Sequence, residues 1–296
     1  MNNQSFVEAL KQEINQLSYN FKDDGPFFKL TINEHDIAFK KVQSDFRVKP
    51  NNWMRRKHKD NQIHEPGLVA TIYLLSKIID KDITFFDVGA LFGYHSMIAN
   101  SFFSNCHCVT IEGNPLSNQC IQEITSSINN ITNINCVIGS KKFSTRYLID
   151  GFRFIPSDEG QRNFSETVSS NLPEFQIETV TLKDIFSNNK NGNQEIYKID
   201  TEGHQCTFIP PFADDLCSRN AILLMELDSP QRMSEFGKTN QDVLDPFFKN
   251  GYTGFWLDHR TVNTKVKEFK SIDSEMDKNS LAIMIPPKYL DSKIYK

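Results

Sequence analysis

The residues best placed to do chemistry lie in two short runs and one isolated pair of carboxylates. The first run is Asp87-Val88-Gly89-Ala90-Leu91-Phe92-Gly93, set between an apolar stretch and a helical pattern. Gly89 lets the backbone turn and approach a ligand with no Cβ in the way, and Gly93 lets the following helix pack close. Glu112 ends the next apolar stretch, where an acidic residue can accept hydrogen bonds from both hydroxyls of a ribose. The second run is Lys198-Ile199-Asp200-Thr201-Glu202-Gly203-His204. Asp200 ends a strand-like stretch, and Glu202 and His204 follow on its loop, so all three are expected to face the same cleft as Asp87 and Glu112. Asp200 could orient a cofactor or accept a hydroxyl proton, and His204 could serve as a general base near neutral pH. Glu226 lies near the end of the apolar run 223–228, where a carboxylate is costly without a partner. It is a further cleft candidate, with Asp228 in its place if the strand is slipped by two.

Asp87 decides the cofactor. Dinucleotide-binding turns use GxGxxG so that the backbone can meet a pyrophosphate. Here Asp87 stands where the first glycine would be, and its carboxylate would repel that group. NAD is therefore the weaker reading. S-adenosylmethionine has no phosphate and a cationic sulfonium and amino-acid end, which tolerate Asp87. Three acidic groups and a histidine also permit a metal, but their spacing follows strand ends rather than one compact ligand set, so none is assigned.

These residues need an alternation of strands and helices to bring them together. Pro66 to Ile79 reads as a helix, with Pro66 in its first turn and Leu68, Ile72, Leu75 and Ile79 on one face. Ile83 to Val88 is apolar on both faces, as in the middle of a covered parallel sheet. Helices are expected at Gly93 to Phe103, Pro115 to Ser127, near Thr207 to Leu216 and at Val243 to Lys249. Strands are expected at His107 to Glu112, Ile134 to Ile138, Glu195 to Ile199 and Ala221 to Leu227. Gly251 to Leu257 and Leu281 to Ile285 are expected to close the sheet, forming an antiparallel edge. Residues 140–175 break the rhythm and read as an inserted hairpin or loop, with Gly151 and a Ser157-Asp158-Glu159-Gly160 turn. The Asn-rich stretches 129–135 and 188–193 read as loops. The fold expected is α/β and Rossmann-like, with ligands at the carboxyl ends of the strands.

Residues 1–62 read as an irregular, partly helical extension, with Phe6, Leu10, Ile14 and Leu17 on one helical face. Residues 40–60 carry eight Lys or Arg against two Asp. A solvated basic face is the plain reading, and a contact for an acidic acceptor, a phosphate or a lipid head group the sharper one. No recognition motif for nucleic acid accompanies it.

Composition supports a soluble enzyme. Of 296 residues 39% are hydrophobic and 24% charged, and 24 Phe against 13 Gly and 12 Pro argue against a disordered or collagen-like chain. A net charge of -4 exerts no global pull toward nucleic acid or anionic membrane. No apolar run is long enough to span a bilayer, and the start lacks the order of a signal peptide, so a cytoplasmic protein is expected. The six Cys are expected to be structural. Cys106 and Cys108 are expected to point to opposite faces of their strand, which would disfavour a shared metal.

The ordered runs FFDVGALFGYHS, VTIEGNP, VTLKDIF, IYKIDTEGH and ILLMEL, spanning residues 83–227, resemble the FkbM-type family of S-adenosylmethionine-dependent methyltransferases. HEPG at 64–67 fits the same resemblance. It implies a class I methyltransferase fold over residues 63–296, a mostly parallel seven-stranded sheet with an antiparallel edge and helices on both faces, carrying the 140–175 insertion. It also implies O-methylation of a hydroxyl on a sugar, glycan or related small molecule. Carried onto this chain, it places Glu65, Asp87, Gly89, Ala90 and Gly93 around the cofactor, with Glu112 at the ribose. Asp200 and Glu202 would border the acceptor, with His204 beside them. Three positions depart from the family pattern: Leu91 where Asn is usual, Lys183 within Leu182-Lys183-Asp184, and Gln205 where an acid often stands. The expected reaction is in-line attack of an acceptor oxygen on a sulfonium methyl group, with Asp200 or His204 as the base. The rival readings are an inactive domain that keeps the fold and an NAD-dependent oxidoreductase.

Overall fold

The computed structural model describes residues 3–43, 48–151, 153–156, 172–189, 193–276 and 279–290. The Ser157-Asp158-Glu159-Gly160 turn, residues 44–47 of the basic segment and residues 190–192 of the second Asn-rich stretch lie outside the described residues.

The chain opens with helix α1 (Asn3–Gln16), which buries Phe6, Leu10 and Ile14. Three strands follow, β1 (Tyr19–Asp24), β2 (Phe27–Ile32) and β3 (His35–Lys40), paired as an antiparallel meander. Alternation makes this sheet: Phe28, Leu30, Ile32, Ile37 and Phe39 are buried while their neighbours face out. The region read as irregular thus contains a sheet that the sequence reading did not include. Helix α2 (Pro50–Lys57) carries the end of the basic segment.

Helix α3 (Pro66–Ile78) leads into β4 (Ile83–Val88), α4 (Tyr94–Phe102), β5 (Cys106–Ile111), α5 (Pro115–Ile124) and β6 (Ile131–Ile134). The short β7 (Val137–Ile138), β8 (Phe143–Asp150), β9 (Arg153–Pro156) and β10 (Glu174–Val180) form a second sheet in the order β7-β10-β8-β9. The stretch 134–138, expected as one strand, is therefore divided between two sheets. Then come α6 (Leu182–Phe186), β11 (Gln194–Ile199), α7 (Gln205–Ser218), β12 (Ile222–Leu227), α8 (Pro230–Ser234), α9 (Asn240–Lys249), β13 (Thr253–Leu257), β14 (Val266–Phe269), β15 (Ser280–Ile285) and α10 (Pro287–Leu290).

The main sheet has eight strands in the order β14-β13-β15-β12-β11-β4-β5-β6. Strands β4, β5, β6, β11 and β12 run parallel. Every residue of β4, β5, β11 and β12 is buried, because helices cover both faces. Phe85 joins the core under α1 and α3, while Phe86, on the opposite face, stacks on Tyr197 at 4.5 Å. Strand β15 runs antiparallel between β12 and β13, so β13 regains the direction of the parallel set. Strand β14 adds an antiparallel eighth member at the edge. The strand order reverses at β4, between β5 and β11, which is where open α/β sheets bind ligands. Among the described residues, no helix is long and apolar enough to cross a membrane.

Cys106 and Cys108 do not point to opposite faces. Their sulfurs lie 3.6 Å apart, both buried. Side chains in a strand alternate with period two, so residues two apart share a face.

Candidate active site

The turn after β4 is held from below. Asp87 has no exposed surface. Its Oδ2 accepts from the Ser96 amide (3.2 Å) and the Ser96 hydroxyl (2.8 Å), tying β4 to the first turn of α4. Its Oδ1 faces Lys198 Nζ at 3.3 Å. Asp87 thus buttresses the turn and offers no surface for the direct ligand contact that its position suggested. Lys198 also donates to the Gly89 carbonyl (3.0 Å) and lies 3.7 Å from Asp200 Oδ2. Burial opposes its charge, but Asp87 and Asp200 hold the ammonium above its usual range.

Gly89, at φ 74°, is required by a neighbour as well as by its turn: a Cβ there would lie 1.8 Å from the Asp200 carbonyl oxygen. Gly93, at φ 72°, is the N-cap of α4. Leu91 occupies the left-handed region at φ 53°. Asn enters that region more readily than a bulky residue, which gives a physical reason for the family's usual Asn here.

Glu112 follows β5 and is buried. Its Oε2 accepts from the Leu91 amide (2.8 Å) and its Oε1 from the Asn114 amide (2.7 Å). Burial outweighs these donors and pushes the carboxyl up to about 7. Asn114 caps α5 through Oδ1, and its Nδ2 donates to the Gly151 carbonyl (2.8 Å), so the tip of the β8–β9 hairpin reaches this loop. The sequence reading missed Asn114, although an Asn before Pro at a helix start is a cap signal.

The amides of this turn are largely spent. Gly89 and Ala90 both donate to the Ile111 carbonyl, at 2.9 and 3.2 Å, Leu91 donates to Glu112, and Gly93 donates to the Ala90 carbonyl at 2.7 Å. A pyrophosphate would need such donors free.

Asp200 is 29% exposed and meets Lys198 and Glu226. Glu226 also pairs with Arg260 at 2.5 Å. Burial first, then the charge and hydrogen bond of Asp200, push the Glu226 carboxyl up to about 10. Of Asp200, Glu202 and His204, only Asp200 makes these contacts. Glu202 turns outward, its side chain 70% exposed and paired with Arg232 at 3.1 Å. The His204 ring bonds through Nε2 to the Ile138 carbonyl (2.9 Å), and burial holds its pKa below the usual value. These bonds correct the expectation that all three face the cleft.

Gln205 has its own explanation. It accepts from the Thr201 hydroxyl (2.8 Å) and donates to Asp228 Oδ2 (2.7 Å) and to the Glu226 carbonyl (3.1 Å). An ionised acid here would lack the donor that Asp228 uses. Burial pushes Asp228 up to about 6. Lys183 reaches Asp215 at 3.5 Å on the surface.

Glu65 brings in residues that sequence reasoning missed. It caps the N-terminus of α3 in the left-handed conformation (φ 53°, ψ 59°) and is buried. Three imidazoles converge on it: His64 Nε2 at 3.3 Å from Oε1, His95 Nε2 at 3.3 Å from Oε2, and His259 Nε2 at 3.7 Å from Oε1. Burial would raise the Glu65 pKa, but His259 first, then the facing His64 and His95 rings, hold it well below the carboxylate range. Burial lowers the pKa values of His64 and His95. His259 follows β13, whose carboxyl end shares the edge of β4 and β11, and its carbonyl accepts from the Gly67 amide at 2.9 Å. No spacing in the sequence links His259 to Glu65. Among the described residues, no group of three or more His, Cys, Asp and Glu is arranged to hold a metal.

Asp87 and Asp200 thus flank one buried ammonium, that of Lys198, with Arg260 at Glu226. With its turn amides spent, this donor set fits a phosphate-free nucleoside bearing a positive charge.

Comparison with known proteins agrees. The family described as Methyltransferase FkbM domain matches residues 87–253. A search of curated proteins found no match. Among solved structures, a precorrin-6y C5,15-methyltransferase from Geobacter metallireducens GS-15 shares 10% identity over 83% of this chain and 91% of its own, with a TM-score of 0.38. An O-methyltransferase from Bacillus cereus in complex with SAH shares 8% over 80% and 88%, with a TM-score of 0.40. Likeness at this level carries no inference about the site.

Proposed function

The chain belongs to the FkbM family of methyltransferases, and on that premise we propose that it transfers a methyl group from S-adenosylmethionine to a hydroxyl of a sugar, a glycan or a related small molecule. One observation carries the reading: a carboxylate-rich cleft stands at the strand-order reversal, beside a turn whose amides are already used. Such a cleft suits a cation, and with the turn amides used and Lys198 and Arg260 already paired to carboxylates it has few donors for a phosphate.

Glu112 would hold the ribose, since each oxygen accepting one backbone amide keeps capacity for a hydroxyl donor. The turn at Gly89, Ala90 and Gly93 would border the cofactor, held in shape by Asp87 through Ser96 and Lys198. Glu65 and Asp200 would face its cationic end. The cofactor supplies an activated methyl group and a neutral leaving thioether. The protein contributes alignment, exclusion of water and a place for the acceptor's proton.

A hydroxyl-rich acceptor suits the other side of the cleft. Asp200, Glu226 and Arg260 supply donors and acceptors there. The β8–β9 hairpin, anchored through Gly151 to Asn114, would form a wall. The test is transfer of labelled methyl from S-adenosylmethionine to a panel of monosaccharides, nucleotide sugars and oligosaccharides, with amines, thiols and carboxylates as controls. Label in an ether at a sugar carbon supports the proposal. Label only in the controls would overturn it.

A further inference from the structure

Resting on the methyl-transfer reading, we propose that Lys57, from the N-terminal extension, binds the carboxylate of the cofactor's methionine end beside the ammonium that Glu65 faces. That end of S-adenosylmethionine is a zwitterion, so a cleft rich in carboxylates satisfies only half of it. Its carboxylate needs a donor or a cation. The amides of the glycine turn are used. Lys198 is held by Asp87 and Asp200, and Arg260 by Glu226.

Lys57 closes α2, four residues after Trp53, so the two side chains share one face of that helix. The face is turned to the site. The Trp53 ring lies 5.0 Å from that of His64, the residue before Glu65, and 5.7 Å from that of Phe92, inside the glycine turn. Lys57 Nζ stands 5.8 Å from the centre of the Trp53 ring. The end of α2 is anchored by His58, a buried ring that stacks on Phe21 at 4.6 Å and bonds the Gln62 carbonyl at 2.9 Å. The basic residues of the last turn are not equivalent. Arg55 and Arg56 are exposed, with Arg55 on Asp23, whereas Lys57 is half-buried. The helix dipole favours all three cations, but it gives no reason to bury one of them.

Among the described residues, no carboxylate lies within ion-pair distance of Lys57 Nζ and no acceptor within hydrogen-bond distance. Burial lowers its pKa, and Glu65 is the carboxylate that acts on it most, ahead of Asp200. Lys57 acts in turn on His64, whose Nε2 lies 3.3 Å from Glu65. Lys57 and Glu65 thus attract one another without forming an ion pair. The ammonium and carboxylate of methionine are carried by one carbon, so the groups that hold them must stand side by side. A carboxylate brought to Lys57 would supply the counter-charge that its half-buried ammonium lacks within the chain.

The test is calorimetric titration of the intact chain with S-adenosylmethionine and with its decarboxylated form, which keeps the sulfonium and the ammonium. The native chain should prefer S-adenosylmethionine. Lys57→Met keeps an apolar stem beside Trp53 and should weaken S-adenosylmethionine by about tenfold. The decarboxylated form should bind that variant as tightly as the native chain, or more tightly. The sign is diagnostic, because S-adenosylmethionine carries net positive charge and losing a cation that does not touch it would tighten its binding. Lys57→Arg should keep most of the preference. Unchanged affinity for S-adenosylmethionine in Lys57→Met would overturn the proposal, and so would equal weakening of both ligands, which marks a packing role. Native affinity for S-adenosylmethionine in Lys57→Met, with KM raised only for acidic sugars, would overturn it by giving the anion to the acceptor. A native chain that binds both ligands equally overturns the role of Lys57 alone, whereas one that binds neither overturns the methyl-transfer reading with it. Thermal unfolding shows whether each variant is folded, and Lys57→Gln replaces Lys57→Met should the latter not fold.

Discussion

The Asp200 carbonyl oxygen lies 1.8 Å from the point that a Cβ on Gly89 would occupy, so the two loops flanking the cleft touch through bare backbone. Backbone cannot move aside as a side-chain tip can. Gly89 also sits at φ 74°. Gly89→Ala should therefore lower the unfolding free energy by about 3 kcal/mol, combining the clash with left-handed strain. Gly93→Ala meets only the Ile121 side chain, with Cγ2 at 3.4 Å and Cγ1 at 3.8 Å, and should cost about 1 kcal/mol from its φ alone. Urea unfolding of both variants checks the ranking, and equal losses would contradict it.

Lys198 and Asp87 form a buried pair, neither with appreciable exposure. Removing one partner strands a charge in the core. Lys198→Met should thus destabilise by about 3–5 kcal/mol, and Asp87→Asn by a comparable amount. The double variant should lose clearly less than the sum. A denaturant double-mutant cycle measures this, and strict additivity would count against the pairing.

The strands around the site were legible because their chemistry is one-dimensional. A mostly apolar run such as 83–86 followed by Asp87-Val88-Gly89 announces a covered strand and a turn, and Glu112 then falls at the next strand end. The loops were not legible in this way. Glu202 and His204 follow Asp200 closely, yet Glu202 is left-handed at φ 55° and the loop turns both side chains away. The three imidazoles at Glu65 come from the residue before it, from α4 and from the loop after β13, a meeting fixed only by sheet order. The β1–β3 meander was visible in the alternation Phe28, Leu30, Ile32 and in the turn residues Gly25 and Asn33, both at φ 50°. The basic composition of residues 40–60 masked that pattern's end at Lys40. There Lys41 and Arg55 bind Asp23, so part of the basic face is already neutralised.

Leu91 departs from the family at little cost. Its left-handed backbone disfavours Leu by about 1 kcal/mol, while its partly buried side chain packs on the core. Leu91→Asn exchanges one effect for the other. Stability should change by less than about 1 kcal/mol, and the bond from its amide to Glu112 should persist. Thermal unfolding with a cofactor titration checks both. A large loss of stability would show that packing, not conformation, governs this position.

Glu112 predicts a pH dependence. Burial raises its carboxyl from 4.5 to about 7. In the ligand-free chain, a group raised in this way contributes stability below pH 4.5 that is lost as pH rises through about 7. Cofactor binding runs the other way, since an ionised carboxylate accepts two ribose hydroxyls better than a protonated one. Affinity should fall toward about tenfold per pH unit below that value. Glu112→Gln should weaken binding and flatten the slope. A slope unchanged by the substitution would assign the titration to another group.

The central claim is that this cleft takes a phosphate-free cationic nucleoside through Glu112 and its surrounding carboxylates. Calorimetric titration of the intact chain with S-adenosylmethionine and with NAD tests it most directly, with Glu112→Ala alongside. The account predicts saturable binding of S-adenosylmethionine, a clear loss of that affinity in Glu112→Ala, and no heat from NAD. Binding of NAD with none of S-adenosylmethionine, or an affinity for S-adenosylmethionine unchanged by Glu112→Ala, would contradict it.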